Sequence, residues 1–315
     1  MTRILVTGAS GFIGRALVAA LAREGLSVRA ASRSPAGMPS AGEEAEGRIE
    51  RVASPDLAMP ESDWAPLLEG ISAVIHTAAI AHTRGMADSD YEVVNHQAVL
   101  ALARAAKGKV ERFVFLSSIR AQSGTASAGT LTEQDQPRPN DAYGRAKLAA
   151  EQGLARLDMP AVILRPVLVA GPRPAGNLGT MLRLAARGLP LRFDAFVARR
   201  SLVALADVVS AVRHVLAGAS HLGATYILAH PEPISVGAMF AALREGLGQQ
   251  PKGVVIPSRL LRAALAVAGK SDASEKLFGD LVASPAKLMA TGWTPLVPPR
   301  SALIDIGATF RREGP

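Results

Sequence analysis

Residues 3–25 pass from RILVTGA, a short β-branched run, through a glycine turn into FIGRALVAALAREG, an amphipathic helix pattern ending at Gly25. This passage constrains the fold more than any other feature because it recurs. LSVRAASR, SAVIHTAA, VERFVFLSS and PAVILRPVLVAG read as further strands. YEVVNHQAVLALARAAKG and DAYGRAKLAAEQGLARL read as helices between them. Antiparallel strands can be joined by a tight hairpin, but parallel neighbours need long crossovers. Strands alternating with helices of this length therefore predict an α/β fold on a doubly wound parallel sheet.

The texture changes after Gly171. GPRPAGNLG is a Pro/Gly-rich bend, and mixed helices and short strands follow it. The expected division is a dinucleotide-binding domain over 1–167, with roughly 201–220 packing back on it, and a smaller mixed C-terminal substrate lobe over 168–200 and roughly 221–315. Residues 34–50 read as a polar loop, with a short element around Ile49 to Val52. LLRAALAVAG, residues 260–269, is too short to span a bilayer and reads as a core-facing helix.

Composition removes several functions. No run of about 18 uncharged apolar residues occurs, so no membrane partner is expected. MTRILVTGAS lacks signal-peptide architecture, which makes the cytoplasm the expected compartment. The absence of cysteine excludes disulfides and thiol catalysis. The six histidines (76, 82, 96, 214, 221 and 230) show no metal-ligand spacing, so no metal is expected. A net charge of +8 suggests nucleic acid, but the arginines are spread among acids and aromatics are only 4%. No nucleic-acid partner is expected; a positive field that favours a small phosphorylated substrate fits better.

The turn TGASGFIG places Gly8, Gly11 and Gly14 between the first strand and the first helix. A tight turn, a backbone that can approach a pyrophosphate, and a helix N-terminus together predict a dinucleotide site. Phe12 and Ile13 belong to the same loop. An NAD-selective site usually carries an acid at the end of the second strand. Here that place reads Arg29-Ala30-Ala31-Ser32-Arg33. A guanidinium can hold a 2′-phosphate bidentately, so Ser32 and Arg33 favour NADP(H) over NAD(H).

Of 35 basic residues, 28 are arginine and only 7 are lysine. One of those lysines, Lys147, stands four residues after Tyr143, a spacing that puts both on one helix face. A free phenol ionises near pH 10, roughly, and a nearby ammonium lowers that value. Lysine is a compact point charge with rotatable donors, which suits this task better than arginine.

These motifs occur together. TGASGFIG, Asp56-Leu57, His76-Thr77-Ala78-Ala79, Asn95, FVFLSS, YGRAK, LRP, GPR…GN, RRSLV…D ending at Asp207, and GWTP at Gly292 to Pro295 follow one another along essentially the whole chain. In that order they resemble the extended short-chain dehydrogenases/reductases of the NAD(P)-dependent nucleotide-sugar epimerase/dehydratase group. The resemblance implies a Rossmann domain with Ser118 bonding the reacting oxygen, Ser117 being the alternative. It makes Tyr143 the general acid/base and Lys147 the residue that holds the nicotinamide ribose. Asp56 and Leu57 would flank the adenine, Ala78 and Ala79 would line the cofactor channel, and Pro166 would lie near the nicotinamide amide. Asn177 and Arg200 would contact the diphosphate of a nucleoside-diphosphate sugar, with Arg199 as the alternative to Arg200. A homodimer formed through residues 91–106 and 143–157 is also implied.

Dehydratases of this group place an Asp-Glu pair directly after the catalytic hydroxyl, whereas Ile119 and Arg120 follow Ser118. Arginine can serve as neither acid nor base there, and Glu133 and Asp135 lie at the wrong spacing. The expected activity is oxidoreduction at the sugar 4-position, leaning to a 4-keto-sugar reductase. The alternatives are a 4-epimerase with tightly bound NAD and a catalytically silent dinucleotide-binding sensor or assembly protein. A dihydroflavonol- or steroid-type reductase would share the N-terminal half but give no reason for Asn177 and Arg200.

Overall fold

The computed structural model describes residues 3–38, 42, 45, 47–59, 61–81, 85–189, 191–218, 221–250, 254–255, 262 and 277–314. The LLRAALAVAG helix and His82 fall outside the described residues, apart from Arg262. In chain order the elements begin with β1 (Arg3–Thr7), α1 (Phe12–Arg23), β2 (Ser27–Ser32), β3 (Ile49–Ala53), α2 (Ala65–Leu68) and β4 (Ala73–His76). Next come α3 (Asp88–Glu92), a π-turn (Val93–Gln97), α4 (Ala98–Ala106), β5 (Arg112–Leu116), a 3-10 turn (Ile119–Ala121) and β6 (Thr130–Leu131). They are followed by α5 (Ala142–Arg156), β7 (Ala161–Pro166), β8 (Leu168–Ala170), α6 (Gly176–Ala186), β9 (Leu191–Arg192), β10 (Arg199–Arg200) and β11 (Leu202–Ala204). The remainder is α7 (Leu205–Ala217), β12 (Thr225–Leu228), β13 (Ile234–Ser235), α8 (Val236–Gly246), β14 (Val254–Val255), β15 (Val282–Ala283), α9 (Ala286–Met289) and α10 (Pro299–Glu313).

Seven strands form the main sheet in the order β12-β7-β5-β4-β1-β2-β3. β1 pairs in parallel with both β2 and β4, and β2–β3, β4–β5 and β5–β7 are parallel too. The chain thus winds outward from β1 in both directions, and the strand order reverses between β1 and β4. In such sheets ligands sit outside the carboxyl ends of the strands at the reversal. Register puts Thr7 opposite both Ala31 and His76, so β1, β2 and β4 end on one edge. One face of the sheet is held by a continuous apolar cluster that includes Leu5, Val74, Phe113, Phe115, Val99, Leu102 and Leu154.

Two local outcomes differ from the sequence expectation. The long helix over 91–106 is α3, a π-turn and α4 in succession, and the π-turn carries Asn95. The last strand run divides after Pro166: β7 stays in the main sheet, while β8 pairs in parallel with β11.

Contacts group the chain in two compact units. The first is Met1–Gln122, Gln136–Pro166 and Val208–Tyr226; the second is Ser123–Asp135, Val167–Asp207 and Ile227–Pro315. The second unit is mixed. Its strands pair two by two, and its core gathers Leu178, Leu182, Leu202, Phe240, Leu243, Leu303 and Ile306. α8 and α10 pack so closely there that a Cβ on Gly246 would lie 2.0 Å from the Ile304 carbonyl oxygen.

Candidate active site

The glycine turn has no room for side chains. Gly8 has φ +69°, and a Cβ on it would lie 2.6 Å from the Ala78 nitrogen and 2.8 Å from the Thr77 hydroxyl. A Cβ on Gly14 would lie 2.1 Å from the Gly8 carbonyl oxygen. α1 starts at Phe12 with Gly11 as its N-cap and no capping side chain. Backbone N–H groups at such a helix start can take phosphate. Thr77 secures the turn from the side by donating to the Thr7 carbonyl at 2.7 Å. Ala78 and Ala79 follow it, half-buried and exposed respectively.

At the end of β2, the Ser32 side chain is buried and its hydroxyl has no partner among the described residues. An orphaned hydroxyl costs free energy unless a ligand meets it. Arg33 is exposed. Arg29, four positions earlier within β2, is structural: it bonds Glu50 at 2.8 Å and the Leu67 and Glu69 carbonyls at 3.0 Å each. Asp56 is exposed and accepts from the Ala58 N–H at 3.0 Å, while Leu57 packs against the core cluster. These residues fit a nicotinamide dinucleotide, with Gly8, Gly11, Phe12, Ile13 and Gly14 as the phosphate cradle and Ser32 and Arg33 at the adenosine end.

His76, at the end of β4, is fully buried between the Thr7 hydroxyl, 2.8 Å from Nδ1, and the rings of Phe113 and Phe115. Its Nε2 has no partner among the described residues. Burial, with a smaller push from Lys147, brings its pKa down to about 3, so the imidazole is neutral. Asn95 is buried and uses both ends of its amide on Ile80, accepting from its N–H and donating to its carbonyl at 2.9 Å each. The π-turn swings this asparagine onto the loop after β4 and fixes that loop.

Ser118 lies two residues beyond β5 and caps the 3-10 turn, its hydroxyl accepting from the Arg120 N–H at 3.1 Å. Opposite it is the start of α5, capped by Asp141, whose carboxylate accepts from the Gly144 N–H at 2.7 Å. A Cβ on Gly144 would lie 2.3 Å from the Arg120 carbonyl oxygen. Glycine therefore lets the helix sit directly on the turn and brings Tyr143 to Ser118, to which it is hydrogen-bonded. Tyr91 meets the Tyr143 ring edge-on at a centroid distance of 6.3 Å. Arg120 bridges Asn140 and Asp141.

Burial pushes the Tyr143 phenol up to about 12, against the pull of Ser118 and Arg120 and with a push from Asp141. The Lys147 ammonium donates to the Leu116 carbonyl at 3.0 Å and lies 4.6 Å from the centroid of the Phe115 ring. Lys147 is 1% exposed, and burial brings its own pKa down to about 7, opposed by Glu151. Arg120 is a cation that favours the phenolate, a residue noticed in the sequence only for not being acidic. Pro166 is buried at the end of β7.

The second unit holds the remaining sequence candidates. Asn177 is exposed in the first turn of α6. Arg200 is buried on β10 and donates to the Thr125 carbonyl at 2.6 Å, so at least one guanidinium N–H is committed to the fold. Arg199 is exposed and pairs with Asp280 at 3.6 Å. Asp207 is buried and accepts from the Leu296 and Val297 N–H groups at 2.8 and 3.2 Å. That contact joins the RRSLV…D motif to the residues just after GWTP, a link no sequence spacing discloses.

The similarities to known proteins agree with this geometry. The family model described as NAD dependent epimerase/dehydratase family matches residues 4–229. The chain is 28% identical over 309 residues to the UDP-glucose 4-epimerase of Vibrio cholerae, covering 93% of this chain and 90% of that one. It is 28% identical over 207 residues to the ceramide reductase of Caulobacter vibrioides (strain NA1000 / CB15N), covering 66% of this chain and 58% of that one. Its fold is similar to that of MoeE5 in complex with UDP-glucuronic acid and NAD, with a TM-score of 0.76, 27% identity and 99% of each chain covered. The family match spans well over half of a chain built on a doubly wound parallel sheet, and the chain belongs to the NAD dependent epimerase/dehydratase family of enzymes.

Proposed function

We propose that this enzyme acts at the 4-position of a nucleoside-diphosphate sugar, as a 4-keto-sugar reductase that uses NADP(H). The observation that carries the reading is the Tyr143 phenol, hydrogen-bonded to Ser118 and held protonated by burial. When bound, the nicotinamide supplies the hydride. The Ser118 hydroxyl donates to the substrate carbonyl oxygen and polarises it. Tyr143 gives its proton to that oxygen as it gains negative charge, leaving the alcohol and a phenolate. Arg120 stabilises the phenolate until solvent returns the proton, and Lys147 binds the ribose. A phenol kept neutral is the form reduction requires, and Ser32 with Arg33 in place of an acid supports NADP(H).

Asn177 and Arg200 are the proposed contacts to the substrate diphosphate, and a homodimer through 91–106 and 143–157 is the proposed assembly. Dehydration stays disfavoured, since Arg120 occupies the place of the acid and is bound to Asn140 and Asp141. A second reading, a 4-epimerase with tightly bound NAD, is supported by the near full-length similarity to a UDP-glucose 4-epimerase. Denaturing the purified protein and identifying released nucleotide by mass spectrometry separates the two. Stoichiometric NAD, together with interconversion of UDP-glucose and UDP-galactose, would replace the reductase with the epimerase. An empty protein that binds NADPH well ahead of NADH and oxidises it with a UDP-4-keto sugar supports the reductase.

A further inference from the structure

Behind Ser118 and Tyr143 lies a buried ion pair that the chemistry above leaves unused. Both Glu151 carboxylate oxygens accept from Arg165, whose Nε is 3.0 and 3.1 Å from them. One of them also accepts the Ser117 hydroxyl, and Arg165 donates in addition to the Gln122 side-chain oxygen. Glu151 is 4% exposed, Arg165 6%, Ser117 4% and Gln122 1%. Holding a fold together this way is costly, because apolar residues of similar volume often do as well as or better than a buried ion pair.

The location of the pair suggests what the charge is for. Ser117 precedes Ser118, and Gln122 follows the 3-10 turn that Ser118 caps. Arg165 precedes Pro166 at the end of β7. Glu151 follows Lys147 by one turn of α5, on the same face. Lys147 is buried, and desolvation drives an ammonium to shed its proton even where a carbonyl and an aromatic ring face meet it. The other charges around it offer little help. His76 on β4 is neutral, the Asp141 cap is bound to Arg120, and on the elements packed against α5 Glu92 is paired with His96 and Asp88 with Arg145. Glu151 is the acid that favours the charged lysine.

We propose that Glu151, anchored by Arg165, Ser117 and Gln122, is a positioning residue that keeps Lys147 charged and aligned with Tyr143 and Ser118. The role in turnover rests on the function proposed above; the effect on Lys147 does not. The test uses the full chain labelled with 15N-lysine, which has only 7 lysines to resolve. The Lys147 Nζ titration is followed by NMR in the parent, Glu151→Gln, Glu151→Asp and the double variant Glu151→Gln/Arg165→Met, beside thermal melting and NADPH binding.

The Lys147 midpoint should fall by about one pH unit in Glu151→Gln and be largely recovered in Glu151→Asp. The double variant should regain the melting temperature, having no unpaired buried charge, yet keep the lowered midpoint. If Glu151→Gln does not fold, the double variant decides the matter. A parent-like midpoint in a folded double variant overturns the proposal and leaves the pair a purely structural one. A lowered midpoint in an enzyme that turns over no nucleotide sugar keeps the proposal and removes the assigned substrate instead.

Discussion

Lys147 donates to the carbonyl oxygen of Leu116 at 3.0 Å, although Tyr143 lies one helical turn away on the same face. Leu116 is the last residue of β5, so the lysine ties the Tyr143 helix to the strand that delivers Ser118. It does so at the cost of a buried ammonium.

That cost predicts a trade between stability and activity. The folded pKa of Lys147, about 7, lies below its unfolded value of 10.5. Between those values the unfolded chain binds more protons, so this group's penalty is full below pH 7 and relaxes as pH rises toward 10.5. Lys147→Met should therefore raise stability at pH 7 by about 1–3 kcal/mol, net of the lost carbonyl bond. The gain should shrink by pH 10, and turnover should drop by about 100-fold or more. Urea denaturation at the two pH values, beside an activity assay, checks it.

Tyr143→Phe keeps the ring edge-on to Tyr91 and removes only the hydroxyl that meets Ser118. Turnover should fall by about 10²–10⁴-fold while NADPH affinity stays within about threefold of the parent. Steady-state rates and a fluorescence titration suffice to test it. Unchanged turnover would move the proton transfer elsewhere, and parallel loss of cofactor binding would make Tyr143 a cofactor residue first.

Much of this site could be read from spacing because its parts are local. The glycine turn, the Tyr143–Lys147 interval and the strand end at Ser118 each lie within one element junction, where helix and strand periodicity fix geometry. What stayed hidden depends on which elements become neighbours. Glu151 and Arg165 are 14 residues apart and meet only because α5 packs on β7. The bond from Lys147 to the Leu116 carbonyl likewise depends on α5 packing beside β5, which helix spacing does not disclose. The π-turn at 93–97 interrupts an apolar pattern that runs on unbroken, and it becomes visible only through the Asn95–Ile80 bonds. Arg200 is legible as a motif position, but the bond its guanidinium makes to the Thr125 carbonyl is visible only in the fold.

Cofactor choice is tested at the end of β2. Arg33 is exposed beside the orphaned Ser32 hydroxyl, so Arg33→Glu changes the charge facing a 2′-phosphate without disturbing the core. NADPH affinity should fall by about 10–100-fold, with NADH affinity unchanged or improved. Isothermal titration with both nucleotides measures the ratio. Equal weakening of both would assign Arg33 a role unrelated to the 2′-phosphate.

His76 should make the fold sensitive to acid. Its pKa falls from 6.5 unfolded to about 3 folded, so the unfolded chain binds more protons between those values. Stability is fully present above pH 6.5 and is lost as pH falls toward 3, by up to about 5 kcal/mol from this group. His76→Asn can still bond Thr7 and cannot titrate. Its melting temperature should decline less between pH 7 and pH 4 than that of the parent. A parallel decline in both proteins would place the acid sensitivity in another group.

Asp207 distinguishes a structural motif residue from a functional one. The resemblance groups it with a substrate-binding segment, yet its carboxylate is 1% exposed and accepts two backbone N–H bonds, from Leu296 and Val297. Those bonds close the loop that leads into α10 at Pro299. Asp207→Ala would leave both N–H donors without this acceptor, which predicts a loss of about 1–3 kcal/mol in unfolding free energy. Asp207→Asn keeps one acceptor and should lose about half as much. Because the carboxylate is spent on the loop, kcat of the folded Asn variant should stay within about threefold of the parent. A folded Asp207→Asn protein with parental stability and a sharply raised KM for the sugar nucleotide would instead assign the residue to the substrate.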